Sequence, residues 1–155
     1  KSFQKYSAQI VKNAKTIASE LLDLDYTLVG GGTENHMVWI DLTNKSADGW
    51  AAAWALEYAG IIANRQTVPN EKKSTYYPTG LRLGTPAVTT RGMREPQMRQ
   101  IAKWIDEVIV YTASKIKNVD LSQEERKIFK QNMIKDKKLL EIGRAVGALC
   151  RKFAL

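Results

Sequence analysis

The sequence predicts an α+β domain, a small and mostly antiparallel sheet flanked by helices. Three observations predict it. Several long segments carry apolar residues at steps of three and four, the spacing of one helical face. Between them lie short β-prone runs, 26–29, 36–42 and 80–84, the first closed and the last flanked by glycines. The chain has 155 residues, 44% of them apolar, which is one domain's worth of core with no internal repeat.

The elements follow in order. Over 1–22, Phe3, Tyr6, Ile10, Ala14, Ile17, Ala18 and Leu21 form one stripe, so a long amphipathic helix ends before the Asp23-Leu24-Asp25 turn. Tyr26 to Val29 is a short strand closed by Gly30-Gly31-Gly32, and His36 to Leu42 is the clearest strand. Ser46 is placed to cap a helix carrying Ala47, Trp50, Ala51, Trp54 and Tyr58, with Gly60 as its left-handed terminator. Residues 61–64 read as a short strand, 66–79 as a polar loop with two prolines, and 80–84 as a strand flanked by glycines. After the Arg91-Gly92 turn, Pro96 fits the first turn of a helix whose buried stripe is Met98, Ile101, Ile105, Val108 and Thr112. A linker near 115–119 precedes two more helices. Asp120 or Ser122 caps the first, Ser122 and Glu125 having capping-box spacing; the second carries Leu139, Leu140, Ile142, Val146, Leu149 and Cys150.

Composition excludes several classes. With one cysteine, Cys150, no internal disulfide forms, which fits a reducing, cytoplasmic home and makes the Asn44-Lys45-Ser46 sequon a chance match. With one histidine, His36, two-histidine zinc sites are excluded. No apolar run approaches the ~20 residues of a membrane span, and the N-terminus has no secretory pattern. The chain opens on Lys1 without an initiator methionine, directly in a helical pattern, as a piece of something longer would. The net charge of +8 admits nucleic-acid binding. Yet the basic excess between Lys115 and Lys152 follows helical spacing without interleaved aromatics, so helix surface is the preferred reading.

Three places could carry chemistry. Gly30-Gly31-Gly32 could cradle a phosphate, but such cradles feed a helix and here a strand follows, so a tight turn is preferred. His36, which opens that strand, reads as a hydrogen-bonded structural residue before it reads as a base. Arg82 is a lone cation between Gly80 and Gly84 in an apolar strand. It is either paired with an internal carboxylate or held for a ligand's carboxylate, and spacing leaves the two open. The 66–79 loop offers Asn70, Ser74, Tyr76 and Tyr77, which suit a flat heterocycle or an ordinary solvent loop.

The stretch from Asn64 through Asn70 (NRQTVPN), then Ser74-Thr75-Tyr76, then Gly80 to Gly92 (GLRLGTPAVTTRG), resembles the serine hydroxymethyltransferase family. Tyr6 to Ala14 (YSAQIVKNA), Gly31 to His36 (GGTENH), Leu56 to Ile61 (LEYAGI) and the ending Leu149 to Phe153 (LCRKF) agree in order, so the likeness runs over nearly the whole chain. The resemblance implies the C-terminal small domain of a fold-type I pyridoxal-phosphate enzyme, with 1–22 as the connecting helix and 23–155 as the domain. It implies reversible one-carbon transfer between serine, giving glycine, and tetrahydrofolate as co-substrate. The cofactor is held mainly by an N-terminal domain absent here, on a lysine this piece lacks, so the piece alone is inactive and has no catalytic residue of its own. Partners are that missing domain and, in the complete enzyme, a homodimer or tetramer.

By the same resemblance, Arg82 grips the substrate carboxylate, and Gln66, Ser74, Thr75 and Tyr76 line the folate site. This chain departs from the family at Gln66, which stands for an asparagine and lengthens the amide by one methylene. It departs also at Lys72 and Thr75, which stand for prolines, at Tyr76, which stands for phenylalanine, and at Ala154, which stands for proline. A connecting helix without its partner domain should leave some apolar surface among Phe3, Tyr6 and Ile10 exposed. Two other readings remain: a basic nucleic-acid-binding module, and a non-catalytic relative of the enzyme.

Overall fold

Helix α1, Ser2–Asp23, opens the computed structural model, which describes residues 2–116 and 121–153. Its inner face buries Ile10, Ala14, Ile17, Ala18 and Leu21, as the spacing requires. At its start Phe3 is 73% exposed and Tyr6 half-buried while Ile10 is buried, so the expected exposure falls on the first two. Asn13 is buried too. Its amide donates to Thr89 Oγ1 (2.8 Å) and the Met93 carbonyl (3.0 Å), fastening α1 to a segment 80 residues away.

Four strands follow the order β1-β2-β4-β3, every neighbour antiparallel: β1 Thr27–Leu28, β2 Met37–Asp41, β3 Asn64–Gln66 and β4 Gly80–Gly84. Successive side chains alternate between the two faces. Leu28, Val38, Ile40, Leu81 and Leu83 are buried on one face, against which α1 and helix α2 (Gly49–Tyr58) pack. Fully burying a side chain such as Ile40 or Leu81 contributes about 1.5–3 kcal/mol. Helices α3 (Pro86–Thr90), α4 (Glu95–Lys115), α5 (Gln123–Met133) and α6 (Lys137–Lys152) complete the chain. The expected α+β architecture is what forms.

Several local expectations hold. Gly60 takes φ +77, and paired bonds from Ile61 N–H to the Leu56 carbonyl (2.8 Å) and Gly60 N–H to that of Glu57 (2.9 Å) close α2 in a Schellman motif. Ser122 and Glu125 exchange the two bonds of a capping box, and Pro96 lies in the first turn of α4.

Others are corrected. Ser46 does not cap α2: it sits at φ +49, ending a 3-10 turn over Thr43–Lys45, and the cap is Asp48, whose carboxylate accepts from Ala51 N–H at 2.8 Å. The strand expected at 61–64 forms instead at Asn64–Gln66, because Ile61 is consumed by the helix-ending bond and only from Asn64 does the chain lie along β4. Val29 leaves the first strand for a 3-10 turn over Val29–Gly31. Residues 86–90, to which the spacing assigned no element, form α3. On α6, Leu139, Ile142 and Val146 are buried, but Leu140 is one residue off that stripe and faces solvent. Residues 117–119 of the expected linker, the alternative cap Asp120, and Ala154 lie outside the described residues.

Candidate functional site

The sheet's second face is open. In the register Trp39 stands opposite Arg82 on one side and Asn64 opposite it on the other, so Arg82 is the centre of a three-strand row. One row along, Asp41, Gly80 and Gln66 are aligned on the same face. Arg82 is exposed while its neighbours Leu81 and Leu83 are buried, as strand alternation dictates. No carboxylate among the described residues pairs with it. Asp41 is the acidic residue in the next row, but its Oδ1 already accepts from Thr43 N–H (2.9 Å) and Thr43 Oγ1 (2.6 Å). The guanidinium therefore presents its planar donor fork to solvent beside Trp39, whose indole N–H is buried without an acceptor.

Gly80 explains how the row of Gln66 is kept tight. A Cβ there would lie 2.6 Å from the Gln66 carbonyl oxygen and 2.6 Å from Val68 Cγ1, so only glycine lets β3 and the loop after it close over the sheet. Gln66 is half-buried on the same face as Arg82, in the adjacent row.

The loop after Gln66 is organised by a residue that sequence reading missed. Val68-Pro69-Asn70-Glu71 makes a turn closed by Glu71 N–H to the Val68 carbonyl (3.1 Å), with Asn70 at φ +59, where proline then asparagine fits a type II turn. The Glu71 carboxylate then accepts from Thr79 N–H and Thr79 Oγ1, both at 2.7 Å, and from Lys73 N–H at 3.1 Å. Burial pushes the Glu71 carboxyl upward, but the hydrogen bonds from Thr79, Lys73 and Val68 outweigh it and hold the group below the usual carboxylate range. A cleft of about 310 Å³ lies beneath this turn, with Asp41, Asn70 and Lys72 in its wall.

Ser74, Thr75 and Tyr76 are all exposed. The Ser74 hydroxyl accepts from Tyr76 N–H (3.2 Å), and its carbonyl from Tyr77 N–H (2.9 Å). The Tyr76 ring stands edge-on to Tyr77 with centroids 5.0 Å apart, and Arg65 reaches it both through its carbonyl (3.3 Å) and over its ring (5.8 Å). The structure thus brings Arg82 and Gln66 onto one face, while no described bond joins Arg82 to Ser74, Thr75 or Tyr76.

A second feature had no signal in the sequence. Asp48, fully buried, receives Arg126 of α5 in a bidentate pair at 3.1 and 3.2 Å. The guanidinium lies 3.9 Å from the Tyr77 ring centroid and 4.9 Å from that of Trp50, and Lys73 adds a contact to Asp48 at 3.6 Å. Asp48 and its partner lie 78 positions apart, beyond the reach of any local pattern.

The remaining candidates resolve plainly. Gly30, Gly31 and Gly32 all have positive φ and lead through an irregular segment into β2, which is a turn and not the start of a helix. His36 was expected to be hydrogen-bonded, but its exposed imidazole makes no bond among the described residues. It is its carbonyl that accepts, from Thr85 N–H at 3.0 Å. Among the described residues no group of three histidine, cysteine, aspartate or glutamate side chains could hold a metal, and no helix is long and apolar enough to cross a membrane.

A sequence model of the family described as serine hydroxymethyltransferase matches residues 1–105, which leaves the end of α4 and all of α5 and α6 beyond it. A serine hydroxymethyltransferase of Methanospirillum hungatei is 52% identical over 109 residues, covering 70% of this chain and 26% of that protein. One of Acidothermus cellulolyticus is 50% identical over 111 residues, covering 72% of this chain and 26% of that protein. The chain thus spans about a quarter of the length of the curated relatives it matches.

Proposed function

This chain belongs to the serine hydroxymethyltransferase family, and from that premise we propose that it is the C-terminal small domain of an enzyme moving a one-carbon unit between serine and tetrahydrofolate. In this reading α1 connects it to the cofactor-holding part of the protein, and residues 23–155 form the domain proper. The complete enzyme acts as a homodimer or tetramer in the cytoplasm, and the piece alone does not turn over substrate.

The observation that carries the reading is Arg82: an exposed guanidinium at the centre of an open sheet face, with no carboxylate paired to it among the described residues. A planar fork of donors binds a carboxylate through two parallel bonds, which fixes the substrate's orientation as well as its position. Holding an amino acid by its carboxylate sets the direction of the bond broken at Cα, a positioning effect. Pyridoxal phosphate, when bound, supplies the electron withdrawal that makes that bond labile. The face fits the substrate's carboxylate but not the cofactor's anchorage: its residues are Thr27, Met37, Trp39, Asp41, Asn64, Gln66 and Arg82, and none is a lysine. By the family reading, we assign the anchoring lysine to the part of the relatives' length that this chain does not cover.

Gln66 offers an amide donor and acceptor beside Arg82, and Ser74, Thr75 and Tyr76 offer a hydroxyl-rich edge with an aromatic face, which suits the pterin ring of a folate. The test is Arg82→Ala and Arg82→Lys in the complete protein, with serine and tetrahydrofolate titrated separately. Losing a bidentate charged pair costs about 1.5–3 kcal/mol, roughly ten- to a hundredfold in serine affinity. Unchanged serine affinity would remove the carboxylate assignment.

A further inference from the structure

Arg126 stands outside the residues matched to the family, and its side chain reaches Tyr77 of the 66–79 loop together with Asp48 and Trp50 at the start of α2, onto which that loop returns. Its two terminal nitrogens are committed to Asp48 at 3.1 and 3.2 Å. Its plane lies against Tyr77 (3.9 Å) and Trp50 (4.9 Å), and the residue is only 5% exposed. Its Nε has no acceptor, and its remaining close contacts are the two aromatic faces. Asp48 in turn starts α2 and touches Lys73 of the loop. At Gly49, next in sequence, a Cβ would lie 2.4 Å from the Pro78 carbonyl oxygen, so the loop's return is pressed onto the start of α2. The order of contact runs from Arg126 to Tyr77, from Tyr77 edge-on to Tyr76, and from Tyr76 to Arg65 beside Gln66.

We propose that Arg126 is a positioning residue: helix α5 uses it to fix Tyr77, and through Tyr77 the ligand-facing edge at Ser74 to Tyr76, before a folate arrives. A guanidinium suits the task because one rigid plane satisfies a carboxylate in-plane and an aromatic ring out-of-plane at once, which a lysine does not. Loops of this length lose conformational freedom on binding a ligand, and one already held loses less, so the gain appears in ligand affinity. The proposal rests on the reading that this loop lines a folate site, and its test separates the two.

The experiment uses the complete protein with Arg126→Met and, as the variant that leaves the Asp48 pair intact, Tyr77→Leu. Amide hydrogen exchange is followed at Glu71, Lys73, Tyr77 and Thr79, whose N–H groups close the loop. Expected are exchange at least tenfold faster at these amides and a tetrahydrofolate KM raised about tenfold, with serine KM unchanged. A general loss of folding would lower the active fraction, and so the maximal rate, without raising one KM selectively. If Arg126→Met does not fold, Tyr77→Leu alone decides. Unchanged loop exchange in the folded variants overturns the proposal. So does faster exchange with unchanged tetrahydrofolate KM when Tyr76→Ala raises that KM. If Tyr76→Ala leaves it unchanged, the folate reading has failed, and the exchange rates by themselves decide whether Arg126 holds the loop.

Discussion

Glu71 takes two hydrogen bonds from Thr79, from its backbone N–H and its hydroxyl, each 2.7 Å long, and so closes an eight-residue span of loop on one carboxylate. That arrangement needs the charged form. Because the Glu71 carboxyl is held below its ordinary value of 4.5, its contribution is fully present above that value and is lost as the pH falls through the lowered one. Loop order, read by amide exchange corrected for intrinsic rates, should be constant between neutral pH and 4.5 and fall in more acid solution. Glu71→Gln should loosen the loop about tenfold at neutral pH and abolish this acid dependence. A loop whose acid response survives the substitution would show that another group governs it.

Asp48→Asn should be among the most damaging single changes in the domain. It leaves the Arg126 cation buried without its counter-charge, and removing one partner of a buried pair costs about 3–5 kcal/mol. Urea unfolding measures it. The double variant with Arg126→Met should lose less than the sum of the singles, because neither charge is then stranded.

Gly80→Ala should destabilise the domain by about 1–3 kcal/mol through overpacking. The added Cβ would meet backbone oxygens of Gln66 and Ile40, at 2.6 and 3.0 Å, which cannot swing away as a side chain does. Thermal unfolding reads the loss. Because the strain falls on the strand carrying Gln66, the same variant in the complete protein should weaken tetrahydrofolate binding more than serine binding.

Arg82→Ala should behave oppositely. An exposed side chain without a partner contributes within about 0.5 kcal/mol to stability, yet the same change should lower serine affinity ten- to a hundredfold in the complete protein. Equal unfolding midpoints with unequal serine titrations are the expected pair of results. A large stability loss would mean that Arg82 serves the fold.

The fold's outline was legible because burial patterns are local. Steps of three and four gave α1, α4 and α6, and glycine at position 60 ended α2 where expected. The strand at 80–84 appeared at its expected bounds because its flanking glycines and alternating burial are both local signals. Errors arose where a local signal competed with a distant one. Ser46 and Asp48 are both acceptable cap types, but Ser46 ends the preceding 3-10 turn at φ +49, and Asp48 both caps α2 and meets Arg126. The strand after α2 starts at Asn64 because its register is set by β4.

The candidate site divides the same way. Sequence alone marked Arg82 as an unusual cation, marked 66–79 as a loop with ligand-like groups, and carried the family resemblance. Whether Arg82 had an internal anion could not be read from spacing, since any carboxylate brought alongside by folding would have taken it. Only the packed sheet decided that. It places Trp39 and Asn64 beside Arg82 and turns Asp41 toward Thr43. The physical reason is range: helix and strand periodicity act over a few residues, whereas pairing of charges and closing of loops act across whatever distance the fold removes.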